Sequence, residues 1–466
     1  MGVLRRMVIL GIAAALSLAP ASVRTEGAVS VEPDLVAAAR AAMEKAARYF
    51  TGEVATRGGY LWFYSQDLKQ REGEGAATAT QIWVQPPGTP AVGFAYLRAY
   101  EVTRDRLYLD AARGAAEALV WGQLACGGWD YLIDFDAAAS KRWYYRRDKD
   151  TGQSQQDRLN RATFDDDTTQ SAVRFLIAAA KATGDANLEA GARYGLRFVL
   201  ESQFPNGAWP QWYPLANHGY SRWYTFNDHA INDCIQVMLD AYHAYGDAVY
   251  LERAKLGGDF IILSQLPAPQ ATWAQQYDYD PKPAPARWFE PAAACSAESV
   301  GNLHTLMDLY LETGDEKYLR PIPAAITWFK NSRLPDGNWA RFYELGTNRP
   351  IYVNAAHRVV YDTVDLRPGY SWQGQYGVEA AVKRYEHLHA LGRDASLAEQ
   401  RRAPSANETA QRLHSRAAQA KAVVAGQDER GRWVREGRIY CEDFIRNLGI
   451  LTGYIALACA AQPAPK

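Results

Sequence analysis

The sequence predicts an all-α protein, an α/α toroid of repeated helical hairpins with short aromatic-rich loops or small β pieces at one rim. Three observations carry this. Trp129, Trp209, Trp273 and Trp339 recur at intervals of 80, 64 and 66 residues. Three of them close a Gly-containing turn (Gly127-Gly128-Trp129, Gly207-Ala208-Trp209, Gly337-Asn338-Trp339), and two turns read Gln-x-x-x-Gly-x-Trp from Gln123 and Gln203. Between the turns, apolar residues fall at helical spacing and stop at Gly-Asp pairs. A fixed period with the same punctuation marks a repeat architecture.

The elements follow in chain order. Arg5 and Arg6, the apolar run Met7 to Leu18, and Ala19-Pro20-Ala21 have the form of a secretory leader over residues 1–21. Residues 22–466 are then expected to be a single toroid domain, secreted or periplasmic. We find no later run of 18 apolar residues, so no stable membrane association is expected. Gly59-Tyr60 begins an early repeat, and Pro90 to Asp105 is a copy without the closing Gly. Lys141 to Arg161 is highly charged and is expected to be a mobile surface insertion.

From Thr168, residues Val173, Leu176, Ile177 and Ala180 form a helical stripe closed by Gly184-Asp185. Ile231, Ile235, Met238 and Tyr242 repeat it before Gly246-Asp247; Leu303, Leu306, Met307 and Tyr310 repeat it before Gly314-Asp315. Each stop leads into a second helix, over Asn187–Glu201, Tyr250–Gln265 and Lys317–Ser332. Ser396 to Arg432, covering a possible flexible or helical insertion at 396–432, precedes a late copy at Gly431-Arg432-Trp433. Five to six hairpins with converging inner helices close a ring; an open solenoid needs polar capping repeats, and neither terminus has that composition.

Five cysteines, odd in number and far apart, exclude a disulfide framework and a zinc pattern. A net charge of −1 leaves no global basic field, so no nucleic-acid partner is expected and an acidic ligand needs a local cluster of cations. A monomer is expected.

The sharpest chemical feature is Thr163-Phe164-Asp165-Asp166-Asp167-Thr168-Thr169, at the start of an inner helix. One Asp there is explained as an N-cap; three in a row repel one another. One repeat later, Phe226-Asn227-Asp228-His229 brings another carboxylate to a helix start. Equivalent positions in neighbouring hairpins share one rim, so these acids converge, and clustered carboxylate and amide oxygens suit a hard cation such as Ca²⁺. A second feature pairs arginines with aromatic rings, at Arg287-Trp288-Phe289-Glu290 and at Arg341-Phe342-Tyr343-Glu344; Trp209-Pro210-Gln211-Trp212-Tyr213 lies between the acidic motifs. Guanidinium forks bind carboxylates bidentately, which suits a carboxylated sugar chain. The plainer alternatives are that the periodic Trp residues anchor the repeats, which we favour for them, and that the arginines answer nearby glutamates.

Residues 162–169, 206–214, 225–228, 286–290 and 340–350 together resemble the family 10 polysaccharide lyases, the toroid pectate lyases, in the family's motif order over most of residues 50–390. The resemblance implies Ca²⁺-dependent β-elimination of polygalacturonate. It makes Asp165 and Asp228 acidic metal and substrate ligands and Arg287 the general base. It gives Arg341 the substrate carboxylates, and it extends substrate binding to Arg349, Asp166, Trp212 and Tyr213. Asp166 stands where the family often has Asn, and Gly207-Ala208 where it usually has Gly-Gly. The family arginine expected after Asn348-Arg349-Pro350 is replaced by Asn354-Ala355-Ala356. Three rivals are a toroid glycoside hydrolase using two carboxylates, a terpene cyclase, and a non-catalytic uronate-binding relative.

Overall fold

The computed structural model describes residues 31–461, so the leader expected at 1–21 lies outside the described residues. Among the described residues run fourteen α-helices: α1 (Pro33–Tyr49), α2 (Thr89–Thr103), α3 (Arg106–Trp121), α4 (Arg146–Asp150), α5 (Thr168–Thr183), α6 (Ala186–Glu201), α7 (Ala230–Tyr245), α8 (Ala248–Leu263), α9 (Ser296–Thr313), α10 (Ile322–Asn331), α11 (Val378–Leu391), α12 (Arg393–Arg401), α13 (Ala406–Ala425) and α14 (Cys441–Ala461). The strands are short and pair antiparallel. Two compact units result, one drawn, among the described residues, from 31–79, Ala91–Ala115 and 403–461, the other from Thr80–Pro90 and Ala116–Arg402.

In the first unit α14 packs against α13 and α1, and Phe50 stacks on Phe444 with ring centres 3.8 Å apart. The region expected to be a flexible or helical excursion is helical, and α13 opens on a reciprocal Ser405–Glu408 cap. Asn407-Glu408-Thr409, an Asn-x-Thr sequence of the N-glycosylation type, lies in the first turn of this helix. By length and composition α14 is apolar enough to cross a membrane, a span the sequence reading did not find. Half of it is buried inside the protein, and its buried Asp443 pairs with Arg435 and Arg446. Those are features of a core helix.

The second unit is built from hairpins α5–α6, α7–α8 and α9–α10. A single dipeptide ends one helix and begins the next. Gly184 takes φ +69°, terminating α5, and the Asp185 carboxylate accepts from the backbone of Asn187 (2.9 Å) and Leu188 (3.3 Å), capping α6. Gly246-Asp247 and Gly314-Asp315 repeat the device. After Asp315 the chain makes only a short 3₁₀ turn, and α10 begins at Ile322. The single helix expected over Lys317–Ser332 fails because Pro321 and Pro323 are tolerated only in a first helical turn.

The periodic tryptophans are packing anchors. The indole N–H of Trp129, Trp209 and Trp339 donates to the carbonyl ten residues earlier (Leu119, Val199, Phe329; 2.8–2.9 Å) and that of Trp273 to Ile261 (2.7 Å). In the first unit Trp433 does the same with Val423. The glutamines join neighbouring hairpins. Gln203 donates to Gly207 O in its own turn and to Arg253 O in α8, both at 3.0 Å, and Gln123 and Gln265 bridge in the same way. Gly207 is required there: φ is +96°, and a Cβ would strike the Leu256 carbonyl of α8.

Each hairpin is clasped where it begins and ends. The residues entering an inner helix pair with those leaving the Trp turn: Thr163 with Trp212, Thr225 with Gln276, Cys295 with Phe342. This clasp fixes the chain just before α5, α7 and α9. The charged Lys141–Arg161 segment is packed rather than loose: Trp143, Tyr144 and Tyr145 are buried, Arg147 lies 3.4 Å over the Trp121 ring, and Asp148 pairs with Arg158. All five cysteines are free, three of them buried.

Candidate active site

The two acidic motifs are structural copies of each other. In both, a buried Thr hydroxyl (Thr163, Thr225) accepts from the backbone N–H two residues on, at 3.0 and 3.1 Å. In both, the next two residues are left-handed, Asp166 and Asp167 at φ 51° and 58°, Asp228 and His229 at 47° and 63°. Asp166 is therefore the counterpart of Asp228, and Asp165 of Asn227. These two pairs of left-handed non-glycine residues each cost about 1 kcal/mol or more per residue, and such strain gathers at functional sites.

Capping does not explain the acids. Asp167 holds the N-cap position of α5 and its side chain makes no capping bond, unlike Asp185 and Asp247. The carboxylates are instead drawn together. Asn227 Nδ2 donates to Asp165 Oδ1 (3.2 Å) and Asp228 Oδ2 (2.6 Å), Tyr131 OH to Asp165 Oδ2 (2.8 Å), and Gln85 Nε2 to Asp166 Oδ2 (2.9 Å). One oxygen each from Asp165, Asp166 and Asp228 lies within 4.8 Å of the others. Oxygen ligands at 2.3–2.6 Å from Ca²⁺ stand at most about 5 Å apart, so the three fit one such ion. The buried Asn227 Oδ1 has no hydrogen-bond partner, adding an amide oxygen of the hard type. The donor set is that of a hard-cation site.

Of the two arginines, Arg341 is in electrostatic reach of the cluster, through Asp228. Arg341 is mostly buried and donates to Glu298 Oε1 at 3.2 Å. Burial alone would lower its pKa, but Cys295, Tyr370, Glu298 and Asp228 together raise it, so it stays charged. The pKa of Tyr220, raised by its own burial, also feels Arg287, Glu290 and Asp165, which groups these around one side chain. Arg287 forks onto Glu290, Nε to Oε2 at 2.8 Å and Nη2 to Oε1 at 2.5 Å. Glu290 is buried, also accepts from the Arg287 backbone N–H and from Tyr370 OH (both 3.1 Å), and is held below the ordinary Glu range despite its burial by the Arg287 bonds. The same bonds raise the Arg287 pKa. Both arginines thus do answer glutamates.

Of the remaining expected residues, Trp212 lies beside the cluster, its ring 5.7 Å from that of Tyr131. Tyr213 is its strand neighbour and packs edge-on to Phe198. Arg349 is not drawn in: its described contacts are the Tyr361 ring at 3.8 Å and the charge of Glu344. Sequence reasoning missed Gln85, Tyr131, Tyr220, Glu290 and Glu298. Only Glu290 had a local signal, its place three residues after Arg287.

Clasped helical hairpins thus bring together, near their helix starts, acidic oxygens that could hold a metal ion and guanidinium groups able to meet an anionic ligand. The sequence matches the pectic acid lyase family over residues 135–338 and 335–381, together more than half of the chain. The chain belongs to that family, and it is an enzyme, a polysaccharide lyase. Among solved structures, a family 10 polysaccharide lyase from Cellvibrio cellulosa is 22% identical, with TM-score 0.50 over 65% of this chain and 97% of that one, which shows a shared fold. A mutant of that lyase in complex with trigalacturonic acid is also 22% identical, with TM-score 0.49 over 65% and 98%. No curated protein matches the sequence.

Proposed function

We propose that the protein is an exported pectate lyase that cleaves polygalacturonate by Ca²⁺-dependent β-elimination, giving unsaturated oligogalacturonides. The toroid expected from the repeat is part of this reading. The observation that carries it is the convergence of Asp165, Asp166 and Asp228 within 4.8 Å, with Asp228 in electrostatic reach of Arg341 and Tyr220 in reach of both Arg287 and Asp165.

Asp165, Asp166 and Asp228 would hold the ion, with the Asn227 amide linking two of them. When bound, Ca²⁺ neutralises the C6 carboxylate of a uronate and makes its C5 proton more acidic. Arg341, kept charged in a buried setting, binds a substrate carboxylate. Arg287, once deprotonated to neutral guanidine, takes the C5 proton at its imine nitrogen as the C4–O bond breaks and the new C4=C5 bond forms, and the leaving C4 oxygen takes a proton from solvent water. An unshifted Arg at pH 7 costs about 7 kcal/mol to deprotonate, and Glu290 adds to that cost. The step is therefore favoured by alkaline conditions and by cationic charge brought near Arg287.

The spacing of the acids also counts against the inverting hydrolase expected as a rival. Inverting hydrolases separate their carboxyl groups by about 6.5–9.5 Å to admit a water, wider than the spacing of the acidic oxygens here. The deciding experiment incubates the purified protein with polygalacturonate and Ca²⁺ at alkaline pH. Ultraviolet absorbance from the conjugated product supports elimination; reducing ends without absorbance overturn it in favour of hydrolysis.

A further inference from the structure

We propose that Arg367 is a further substrate-binding residue, holding a second uronate carboxylate beside Arg287. The inference rests on the lyase reading above. The Arg367 guanidinium carbon lies 3.8 Å from the centre of the Phe289 ring, and that of Arg287 lies 4.8 Å from the same centre. The two cations are thus no more than about 9 Å apart and repel. One buried carboxylate serves this pair, and it is committed: Glu290 is forked onto Arg287 and accepts Tyr370 as well. Arg367 donates to the Pro368 carbonyl at 3.1 Å, and no carboxylate lies within ion-pair distance of it among the described residues. A planar guanidinium resting on an aromatic face is held in place without losing its fork for an incoming carboxylate.

The backbone fixes this placement. Arg367 N–H donates to Val353 O (3.0 Å) and Ala355 N–H to Asp365 O (2.9 Å), while the Trp372 indole donates to Arg367 O (2.9 Å). Arg367 therefore stands across from Val353–Ala355, beside the stretch where Asn354-Ala355-Ala356 leaves no arginine. Trp288, half exposed, lies 5.7 Å from the Arg367 guanidinium and is stacked on His357. Its exposed ring adds an apolar surface for a sugar next to the cation.

The test measures trigalacturonate binding and initial rates on polygalacturonate for the wild type, Arg367→Ala and Arg358→Ala. Arg358 is an exposed arginine of the same region and controls for general charge. Losing a charge-assisted bond is expected to raise Kd and KM about tenfold to a hundredfold in Arg367→Ala. Turnover should stay within about threefold, and the loss should disappear on methyl-esterified substrate. Arg358→Ala should match the wild type. Wild-type Kd and KM in Arg367→Ala overturn the inference alone, as does a fall in kcat and Tm with KM unchanged, the signature of a structural role. A wild type that neither binds nor cleaves polygalacturonate overturns the lyase reading and this inference with it.

Discussion

If Arg287 is the base, kcat/KM climbs about tenfold per pH unit between pH 7 and 10. The perturbation is pH itself, with Arg287→Lys as its partner. An unperturbed Arg is neutral in about three molecules per 10⁵ at pH 8 and about three per 10³ at pH 10, a hundredfold rise. The fork onto buried Glu290 raises the pKa above its ordinary value, so the absolute fractions fall while the slope persists, with no levelling in that range. Lys at the same place is neutral far more often, since its pKa is near 10.4, yet it lacks the planar fork that Glu290 orients. Arg287→Lys is therefore expected to lose several orders of magnitude in kcat with KM little changed. The assay is the initial ultraviolet absorbance rate at fixed free Ca²⁺ and substrate well below KM. A profile flat from pH 7 to 10, or near-wild-type turnover in Arg287→Lys, refutes the assignment.

Chelation is expected to abolish activity, and Asp228→Asn to weaken Ca²⁺ binding by about tenfold or more by removing one charged ligand; calorimetric titration of the protein with Ca²⁺ reads this without turnover. Gly207→Ala is expected to destabilise by about 3 kcal/mol or more, since the new Cβ meets the Leu256 carbonyl at positive φ. Gly184→Ala, in open space at φ +69°, is expected to cost only about 1–2 kcal/mol, and urea melts of both separate strain from collision. His243, bonded to Glu312 at 2.9 Å, has its pKa raised by that bond. Its stabilisation is complete below the unfolded value near 6.5 and fades as pH rises through the higher folded value. His243→Gln is expected to flatten that part of the stability–pH curve, and an unchanged curve counts against the pair.

Features set by local chemistry were legible in the sequence. Gly-Asp pairs predicted where one helix stops and the next is capped, because both jobs are done by residues within a turn of each other. The Trp and Gln spacings predicted the hairpin period, since each indole reaches a carbonyl about ten residues back. The acidic motifs were legible as a pair because repetition places them at matching helix starts. What the chain order could not express was the matching itself. The left-handed pairs make Asp166, rather than Asp165, the counterpart of Asp228, and the Asn227 amide then joins the two motifs. Gln85 and Tyr131 reach the acids from 81 and 34 residues away in sequence, a proximity that only folding creates.

The sequence by itself determined helical hairpins, their period, and the residue types at their mouths, because capping, turn geometry and apolar spacing are short-range forces. The tertiary structure decided which charges meet: Arg287 with Glu290, Arg341 with Glu298 and Asp228, Arg367 with no carboxylate partner among the described residues. Electrostatic pairing depends on distance in space and on burial, and neither is written along the chain.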